Sequence, residues 1–344
     1  MNLAPFRVGA GIMERSDRGK LHFTGEQARW FLGQLVTNDV EHLEGGHGLE
    51  ALLLTPQGRI IHIMRAVFTG SAIFVDTEPG AAGPLLSFLQ ARIFGTRVEI
   101  ADVSEAFGLI SVLGPRADEV VRAALEALVG SEGHELGFAF PVEEEHTSTH
   151  FGRAALVRVR RPVWGLDLWV ARGDGPALVE ALEGAGGQVG WPEEYAALCV
   201  VEGLPRIGVD FDGSYLPQEA AMERTVHFQK GCYLGQEAVA MAQRGKVKRR
   251  IRHLHFHDEG SLGSVLHDGV AVGTVTSVAT EEGRAHGIAI LKTSVPIGAE
   301  VEVADSFEAT VMELPGTPEG PKLPSARELR EGLEGAATPR RRSS

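Results

Sequence analysis

The chain has 344 residues, of which 43% are hydrophobic and 23% are charged, and its formal net charge is −13. This composition is typical of an ordinary globular protein with enough residues for two or three packed units. The acidic balance argues against a general binder of nucleic acids or anionic membranes. The two cysteines cannot form a disulfide framework.

Targeting signals are not evident in the sequence. No apolar stretch approaches the ~20 residues that a membrane-spanning helix needs. Residues 1–17 are interrupted by Arg7 and lack the apolar centre of a signal peptide. Because unpaired cysteines suit a reducing compartment, we expect a cytoplasmic protein.

The first third of the chain predicts a β-α-β-β-β-α-β unit. Strands are expected at 21–23, 49–54, 59–68, 72–76 and 97–103, and helices at 25–36 and 84–94. Thr24, with Gln27 three residues later, is expected to cap the first of these helices. Asn38 and Asp39 follow that helix in a polar loop.

A similar order of elements then starts again. Strands are expected at 107–113, 154–160 and 166–171, and helices at 115–129, 176–182 and from Pro192 to before Gly203. The repetition lies in the order of elements rather than in the residues. It predicts two α+β halves, about 1–105 and 106–245, each with helices on one face of an antiparallel sheet. Cys199, on the apolar face of the last helix, is expected to pack in the core.

The last part of the chain shows strand signals only. Strands are expected at 252–256, 270–276, 285–291 and 300–303, separated by glycines and by a proline turn. This pattern predicts a small antiparallel β-barrel at 246–314. Residues 315–344 are rich in proline, glycine and charge, which predicts a disordered tail.

Cys232 lies in the most distinctive stretch of the sequence. Gly231 and Gly235 allow a tight bend around it, and good helix formers at 236–242 predict a helix that begins at Gly235. A thiol just before a helix N-terminus, with Lys230 two residues earlier, is expected to be polarised toward its reactive thiolate form. The alternative is a buried structural cysteine in a turn.

This stretch carries a resemblance to a known family. Residues 230–237, K-G-C-Y-L-G-Q-E, resemble the K-G-C-Y-x-G-Q-E signature of the YgfZ family of folate-binding proteins. That family is related to the T-protein, the aminomethyltransferase of the glycine cleavage system. Residues 31–40, 53–60 and 244–249 are similar to three further motifs, F-L-x-x-x-x-T-N-D-V, L-L-x-P-x-G-R-I and R-G-x-x-K-R, so the resemblance covers most of residues 6–314.

The resemblance implies an α+β fold and a folate-related function. The fold would be two α/β sandwich-like subdomains and a C-terminal antiparallel β-barrel, arranged as a ring of three around a folate-sized hole. The function would be to bind tetrahydrofolate and to assist the assembly or repair of iron–sulfur enzymes, including those that thiolate tRNA. Those enzymes would be transient partners, and direct binding of nucleic acid is not expected.

The resemblance also implies the residues of the site. Cys232 would be the functional thiol, and its role in sulfur handling, in a bond to a partner or as an iron ligand stays open. The expected folate contacts are Lys230, Tyr233, Gln236, Glu237, Asn38, Asp39, Trp164 and Arg244. Trp164 would stack on the pterin ring, and the alternative is a tryptophan of the core.

Two departures from the T-protein pattern argue against aminomethyl transfer. Where the T-protein has a pair of aspartates after its hairpin turn, this chain has His62 and Ile63. Leu166 replaces a glutamate that grips the pterin. Because aminomethyl transfer needs a carboxylate near the pterin ring, we do not expect a classical aminomethyltransferase. The alternative is a folate-dependent one-carbon transferase in which Asp39 or Asp167 supplies that carboxylate.

Two polar clusters allow more than one interpretation. The basic run at 244–252 either attracts a folate tail or a phosphate, or guards a strand edge. A third hypothesis, a module that binds an anionic partner such as RNA, is disfavoured because aromatic residues do not interleave with this run. His253, His255 and His257 share one face of a strand. We favour a polar outward face there, and no metal site is expected.

Overall fold

A computed structural model describes residues 1–129, 140–151, 154–245 and 247–315 of the chain. The helices are α1 (Ala4–Val8), α2 (Ala28–Gly33), α3 (Ala82–Gln90), α4 (Ala117–Val129), α5 (Gly175–Gly184), α6 (Pro192–Val201) and α7 (Gln236–Arg244). The strands are β1 (Gly11–Glu14), β2 (Arg18–Thr24), β3 (His47–Leu54), β4 (Ile60–Phe68), β5 (Ile73–Pro79), β6 (Glu99–Asp102), β7 (Phe107–Leu113), β8 (Ser148–Phe151), β9 (Ala154–Val159), β10 (Gly165–Ala171), β11 (Gln188–Val189), β12 (Arg249–Phe256), β13 (Gly263–His267), β14 (Val270–Glu281), β15 (Arg284–Lys292), β16 (Glu300–Val303) and β17 (Phe307–Met312). The tail predicted to be disordered lies, from 316 onward, outside the described residues, as does Lys246 of the basic run.

The internal repeat predicted from element order is confirmed by the two sheets. The first sheet has the order β3-β4-β5-β2-β6, and the second has β8-β9-β10-β7-β1-β11. Apart from the inserted β1, the second sheet follows the same path through its unit as the first. β1 pairs antiparallel with β7 and parallel with β11, so the first strand of the chain lies in the second sheet.

Each sheet is covered by its own helices on one face and meets the other unit on its opposite face. In the first unit, Leu85 and Leu89 of α3 pack into the same core as the apolar side chains of the sheet. In the second unit, α4 buries Val120, Val121 and Ala124, whose helical spacing matches one apolar stripe. A smaller cluster, which includes Val67 of β4 and Trp169 of β10, joins the uncovered faces of the two sheets.

The first predicted helix is shorter than expected, and its predicted cap is wrong. The helix α2 begins at Ala28 rather than Gly25, because Thr24 is still the last residue of β2. The Gln27 side chain is used elsewhere, since its Oε1 accepts a hydrogen bond of 2.8 Å from the backbone N–H of Arg97. A long-range contact therefore replaces the local capping box.

The C-terminal barrel is confirmed, with six strands closed in the order β12-β15-β14-β13-β16-β17. The short strands β13 and β17 were not predicted. The barrel docks on the segment that follows α6, since hydroxyls of Thr276 and Ser277 donate to the Asp210 carboxylate at 2.7 and 2.6 Å. None of the helices within the described ranges is long and apolar enough to cross a membrane.

Two arginines of the basic run belong to this junction. Arg249 pairs with Glu219 at 3.2 Å, and Arg250 pairs with Glu223. Both carboxylates lie in the segment between α6 and α7. These two arginines thus join the barrel to the rest of the chain rather than standing open for an anion.

Candidate functional site

A cavity of about 270 Å³ lies between the two sheets, α6 and the segment that follows it. Its lining combines apolar side chains with a dense set of charges. The arginines are Arg15, Arg18, Arg65, Arg161, Arg206 and Arg224, and the carboxylates are Glu50, Asp76, Glu78, Glu145 and Asp167. The apolar part includes Ile63, Met64, Val159, Leu204, Ile207 and Met222.

Asp76 is the most buried carboxylate of the first sheet and is held by two arginines. It is the cross-strand partner of Arg65, whose Nε donates to it at 2.8 Å, and Arg18 donates to it at 2.5 Å. Burial alone would raise the pKa of Asp76, but Arg65 and Arg18 outweigh it and hold the pKa well below its usual range. Asp76 is therefore ionised at neutral pH.

Arg65 also bridges the two sheets. Its guanidinium lies 2.7 Å from the carboxylate of Asp167 on β10. Asp167 accepts a further hydrogen bond of 2.5 Å from the hydroxyl of Ser111, and Arg15 lies 4.0 Å away. The two units are thus joined at the cavity wall by a buried chain of alternating charges.

The opposite side of the cavity is built by α6 and the segment after it. Arg224 pairs with Glu50 of β3 at 2.9 Å. The guanidinium of Arg15 stacks on the ring of Tyr195, 4.8 Å from its centroid. Burial raises the pKa of the Cys199 thiol to about 12, so this cysteine is a protonated core residue, in agreement with its predicted packing role.

The two departures from the T-protein pattern take different positions. Ile63 lines the cavity, whereas His62 points to the other side of β4. Leu166 is fully buried in the core beneath α4 and α5, and its neighbour Asp167 faces the cavity instead. Ile63 therefore adds an apolar side chain to the cavity wall, where Asp76 and Asp167 are already paired with Arg65.

Lys230 fixes the end of α2. Its ammonium donates to the carbonyl oxygens of Gly33, Val36 and Asn38 at 2.6, 2.8 and 2.8 Å. A lysine has three N–H donors, so these contacts use all of them. Burial lowers the pKa of Lys230 to about 8. These contacts give Lys230 a structural role at the end of α2.

Two glycines of separate motifs meet where the hairpin after β3 contacts the start of α7. Gly58 and Gly235 have φ of +76° and +84°, which residues with a side chain rarely adopt. A Cβ on Gly235 would lie 2.5 Å from the Thr55 carbonyl oxygen, and one on Gly58 would lie 2.9 Å from the Cβ of Ala238. Gly235 immediately precedes α7, as predicted.

Cys232 lies in a loop that is anchored on both sides. Lys230 holds the loop at one end, and the buried Tyr233 holds it at the other, where burial raises the pKa of the phenol to about 12. Cys232 itself is exposed. Gln236 is half-buried and Glu237 exposed. The loop thus presents a thiol to solvent from a fixed position, and the alternative of a buried structural cysteine is wrong.

The remaining predicted residues also lie away from the cavity. The Asn38 amide donates to the Glu50 carbonyl at 2.8 Å, and Asp39 accepts a hydrogen bond of 2.9 Å from His42. Arg244 is exposed in the last turn of α7. Trp164 lies beside the guanidinium of Arg158, 4.5 Å from its ring, in a separate open groove.

The structure therefore divides the predicted site into two parts. Among the described residues, the cavity lining includes none of the nine predicted site residues. The motif residues instead form the joint between α2, the β3–β4 hairpin and α7. The signal that would have found the cavity was present in the sequence, because Arg65, Asp76 and Asp167 are charged residues inside otherwise apolar strands.

Comparison with known proteins identifies proteins that are similar to this chain. A family described as the GCVT N-terminal domain matches residues 2–230. A putative chloroplastic transferase of Arabidopsis thaliana is 26% identical, with 91% of this chain and 72% of that protein covered. An aminomethyltransferase of Moorella thermoacetica is also 26% identical, over 86% of this chain and 82% of that protein.

A solved structure shows the same fold. The glycine cleavage system aminomethyltransferase T of Bartonella henselae aligns with a TM-score of 0.76 at 20% identity. The alignment covers 92% of this chain and 88% of that one. The predicted fold class, two α+β units followed by an antiparallel barrel, is thereby confirmed.

Proposed function

Because this chain belongs to the family of GCVT N-terminal domains, we propose that it binds a tetrahydrofolate in the cavity between the two sheets. The observation that supports the proposal is the mixed composition of the cavity wall, which has an apolar part and a charged part. One part is apolar, which suits the faces of a flat heteroaromatic ring, and the other part is rich in arginine. The volume, about 270 Å³, is close to the lower end of the ~300–1,000 Å³ of ligand pockets in general.

The residues present fit the chemistry of a folate. Arginine guanidiniums match the planar carboxylates of a folate glutamate tail, and Arg161, Arg206 and Arg224 line the cavity. Glu145 lines the cavity as well and would accept hydrogen bonds from the amino group of a pterin. When bound, the folate would supply one-carbon chemistry. The protein's part in the proposal is to bind and shield it.

We propose binding without aminomethyl transfer as the principal activity. A general acid or base near neutral pH needs a pKa close to the working pH. Asp76 has a pKa far below it, and Asp167 is engaged by Arg65 and Ser111. Ile63, which also lines the cavity, has no titratable group.

The exposed thiol is the second part of the proposal. A protein of the YgfZ type would use Cys232 in the assembly or repair of iron–sulfur enzymes, including those that thiolate tRNA, through transient contacts. The fixed, solvent-facing loop supports this role because a partner can reach the thiol without disturbing the cavity. A reducing cytoplasm, which keeps a free thiol reduced, is the proposed location.

The cavity assignment is tested by filling it. Val209 lines the cavity and is 50% exposed, so Val209→Trp narrows the cavity without an obligatory clash in the core. Val189 is 47% exposed and lies outside the cavity, which makes Val189→Trp the matched control. We expect the tetrahydrofolate dissociation constant to rise at least about tenfold in the first variant, a loss of about 1.4 kcal/mol, and to stay unchanged in the second. Equal affinities would place the ligand elsewhere.

The thiol assignment is tested separately. Cys232→Ala should abolish support of iron–sulfur enzyme activity in cells that lack the wild-type chain, while folate binding and the fold persist. Ser71 and Ser261, exposed or half-exposed in loops, offer harmless alanine controls. If the Cys232→Ala variant fully supported iron–sulfur enzyme activity, the thiol would have no role in the proposed function.

One observation favours a second candidate function, a folate-dependent one-carbon transferase. Asp167 lines the cavity, as that hypothesis requires, whereas Asp39 does not. This candidate predicts turnover of a methylamine or aminomethyl donor with tetrahydrofolate as acceptor. It also predicts that Asp167→Asn stops the turnover. No turnover by wild-type protein that binds tetrahydrofolate would exclude it.

A further inference from the structure

Three histidines gather on the outer face of the C-terminal barrel. His253 and His255 lie on β12, and His286 lies on the neighbouring strand β15. His255 and His286 are direct cross-strand partners, and the ligand nitrogens of all three residues lie within 4.8 Å of one another. The predicted shared strand face therefore exists, but His286 completes the cluster in place of His257, which pairs with Glu300.

The most buried member of the cluster is His253, which is 1% exposed. Its Nε2 lies 3.0 Å from the carbonyl oxygen of Val200 on α6. A carbonyl only accepts hydrogen bonds, so Nε2 carries the proton and Nδ1 keeps its lone pair. Within the described part of the chain, this buried Nδ1 has no hydrogen-bond partner.

An imidazole held in this way matches a metal ligand. Histidines that bind metals usually donate the other ring N–H to a carbonyl or carboxylate, which fixes the tautomer and the orientation of the ring. His286 repeats part of the pattern, because its Nδ1 is also buried and without a partner among the described residues.

We propose that His253, His255 and His286 form a binding site for a first-row divalent metal ion, with zinc as its natural occupant. Three neutral imidazoles are a common ligand set for Zn²⁺ and leave at least one position for water or for a ligand from another molecule. In a tetrahedral zinc site with bonds of ~2.0–2.1 Å, the ligand nitrogens lie about 3.4 Å apart. The cluster reaches that geometry when its widest separation closes by about 1.4 Å, which rotations of the half-exposed His286 and the exposed His255 allow.

The site lies at the junction of the barrel with α6, so metal binding would affect the structure there. His253 lies between the barrel and the end of α6, so a bound ion fixes the barrel against that helix. Arg7 and Glu281 lie close by and pair with each other at 2.7 Å, where the first helix also meets the barrel. The metal would therefore stabilise the junction of three parts of the chain, independently of any ligand in the cavity.

The experiment is a metal titration of the purified full chain after treatment with a chelator. Co²⁺ is added first, because its visible absorption reports tetrahedral coordination, and Zn²⁺ is then added as a competitor. His255→Ala and His286→Ala remove ligands that are not deeply buried, so these variants should fold, which circular dichroism verifies. His257→Ala, on the same strand but outside the cluster, is the control.

The proposal predicts one Co²⁺ per chain in wild type, displaced by one Zn²⁺. Loss of one ligand should weaken binding by about 100-fold or more, since loss of an outer partner alone costs 10–100-fold. The His257 variant should bind as the wild type does. Absence of stoichiometric binding in wild type would overturn the proposal, and so would equal binding in all variants or an equal loss in the His257 variant.

Discussion

The bridge made by Arg65 allows a sharp prediction about stability. Arg65→Met keeps most of the apolar length of the side chain and removes its charge. Two buried carboxylates then lose a partner, since Arg65 contacts both Asp76 and Asp167. Removing one partner of a buried ion pair typically costs about 3–5 kcal/mol of the free energy of unfolding.

The contacts that remain in the variant favour the lower end of this range of free energies. Asp76 keeps Arg18 at 2.5 Å, and Asp167 keeps the hydroxyl of Ser111 at 2.5 Å. We therefore expect Arg65→Met to lower the free energy of unfolding by about 3 kcal/mol. The combined variant with Asp76→Asn should recover part of this loss, because one stranded charge is removed together with its partner.

Urea unfolding, followed by tryptophan fluorescence and circular dichroism, measures the difference. Arg97→Met is the matched control, because Arg97 pairs with Glu26 on the surface and both side chains are more than 70% exposed. A surface pair of this kind contributes little to stability. If the Arg65 variant unfolded within about 0.5 kcal/mol of wild type, as a surface variant does, the bridge would not join the two units as described.

Three further predictions concern acid stability and the joint outside the cavity. Because Arg65 and Arg18 hold the pKa of Asp76 below its ordinary value of about 3.9, its contribution is complete above that value and is lost as the pH falls through the lower, folded-state pKa. Asp76→Asn should therefore lower stability at pH 7 and flatten the fall of the urea midpoint between about pH 5 and pH 2, and an unchanged slope would contradict this assignment. Gly235→Ala should cost at least about 1–2 kcal/mol because of its positive φ, whereas Gly231→Ala, which meets no atom within 4 Å, should be near neutral in the same urea assay. Lys230→Met should lower the free energy of unfolding by about 1.5–3 kcal/mol, because three carbonyl oxygens lose their donor. Its tetrahydrofolate affinity, measured by calorimetry, should be unchanged. A loss of affinity in the folded variant would show that Lys230 contributes to folate binding.

Much of the fold could be predicted because the signals are local. Apolar periodicity and turn residues located the strands and helices of both units, and the repeated order of elements predicted two similar sheets. The short strands β1, β8, β11, β13 and β17 were missed because two to six residues carry too little pattern. The Thr24 cap failed for a related reason, since Gln27 bonds to Arg97, 70 residues away.

The site was harder to predict because its contacts are long-range. Arg65 and Asp167 are 102 positions apart, and their contact depends on how the two sheets pack. The motif at 230–237 was conspicuous in the sequence, and it led to the Cys232 loop. Its lysine and second glycine are explained by packing, through carbonyl contacts and a close approach to the hairpin. The distinctive motif thus led to a structural joint, whereas the charged residues within the strands, which mark the cavity, were not used in the prediction.

Folate binding in the cavity is tested directly by a calorimetric titration of the purified chain with tetrahydrofolate and its 5-formyl and 5,10-methylene forms. We predict that at least one form binds to one site per chain with a dissociation constant in the micromolar range, which corresponds to a binding free energy of about −8 kcal/mol. Val209→Trp should weaken that binding and Val189→Trp should not. If no form bound to the folded wild-type chain, the cavity would not be a folate site.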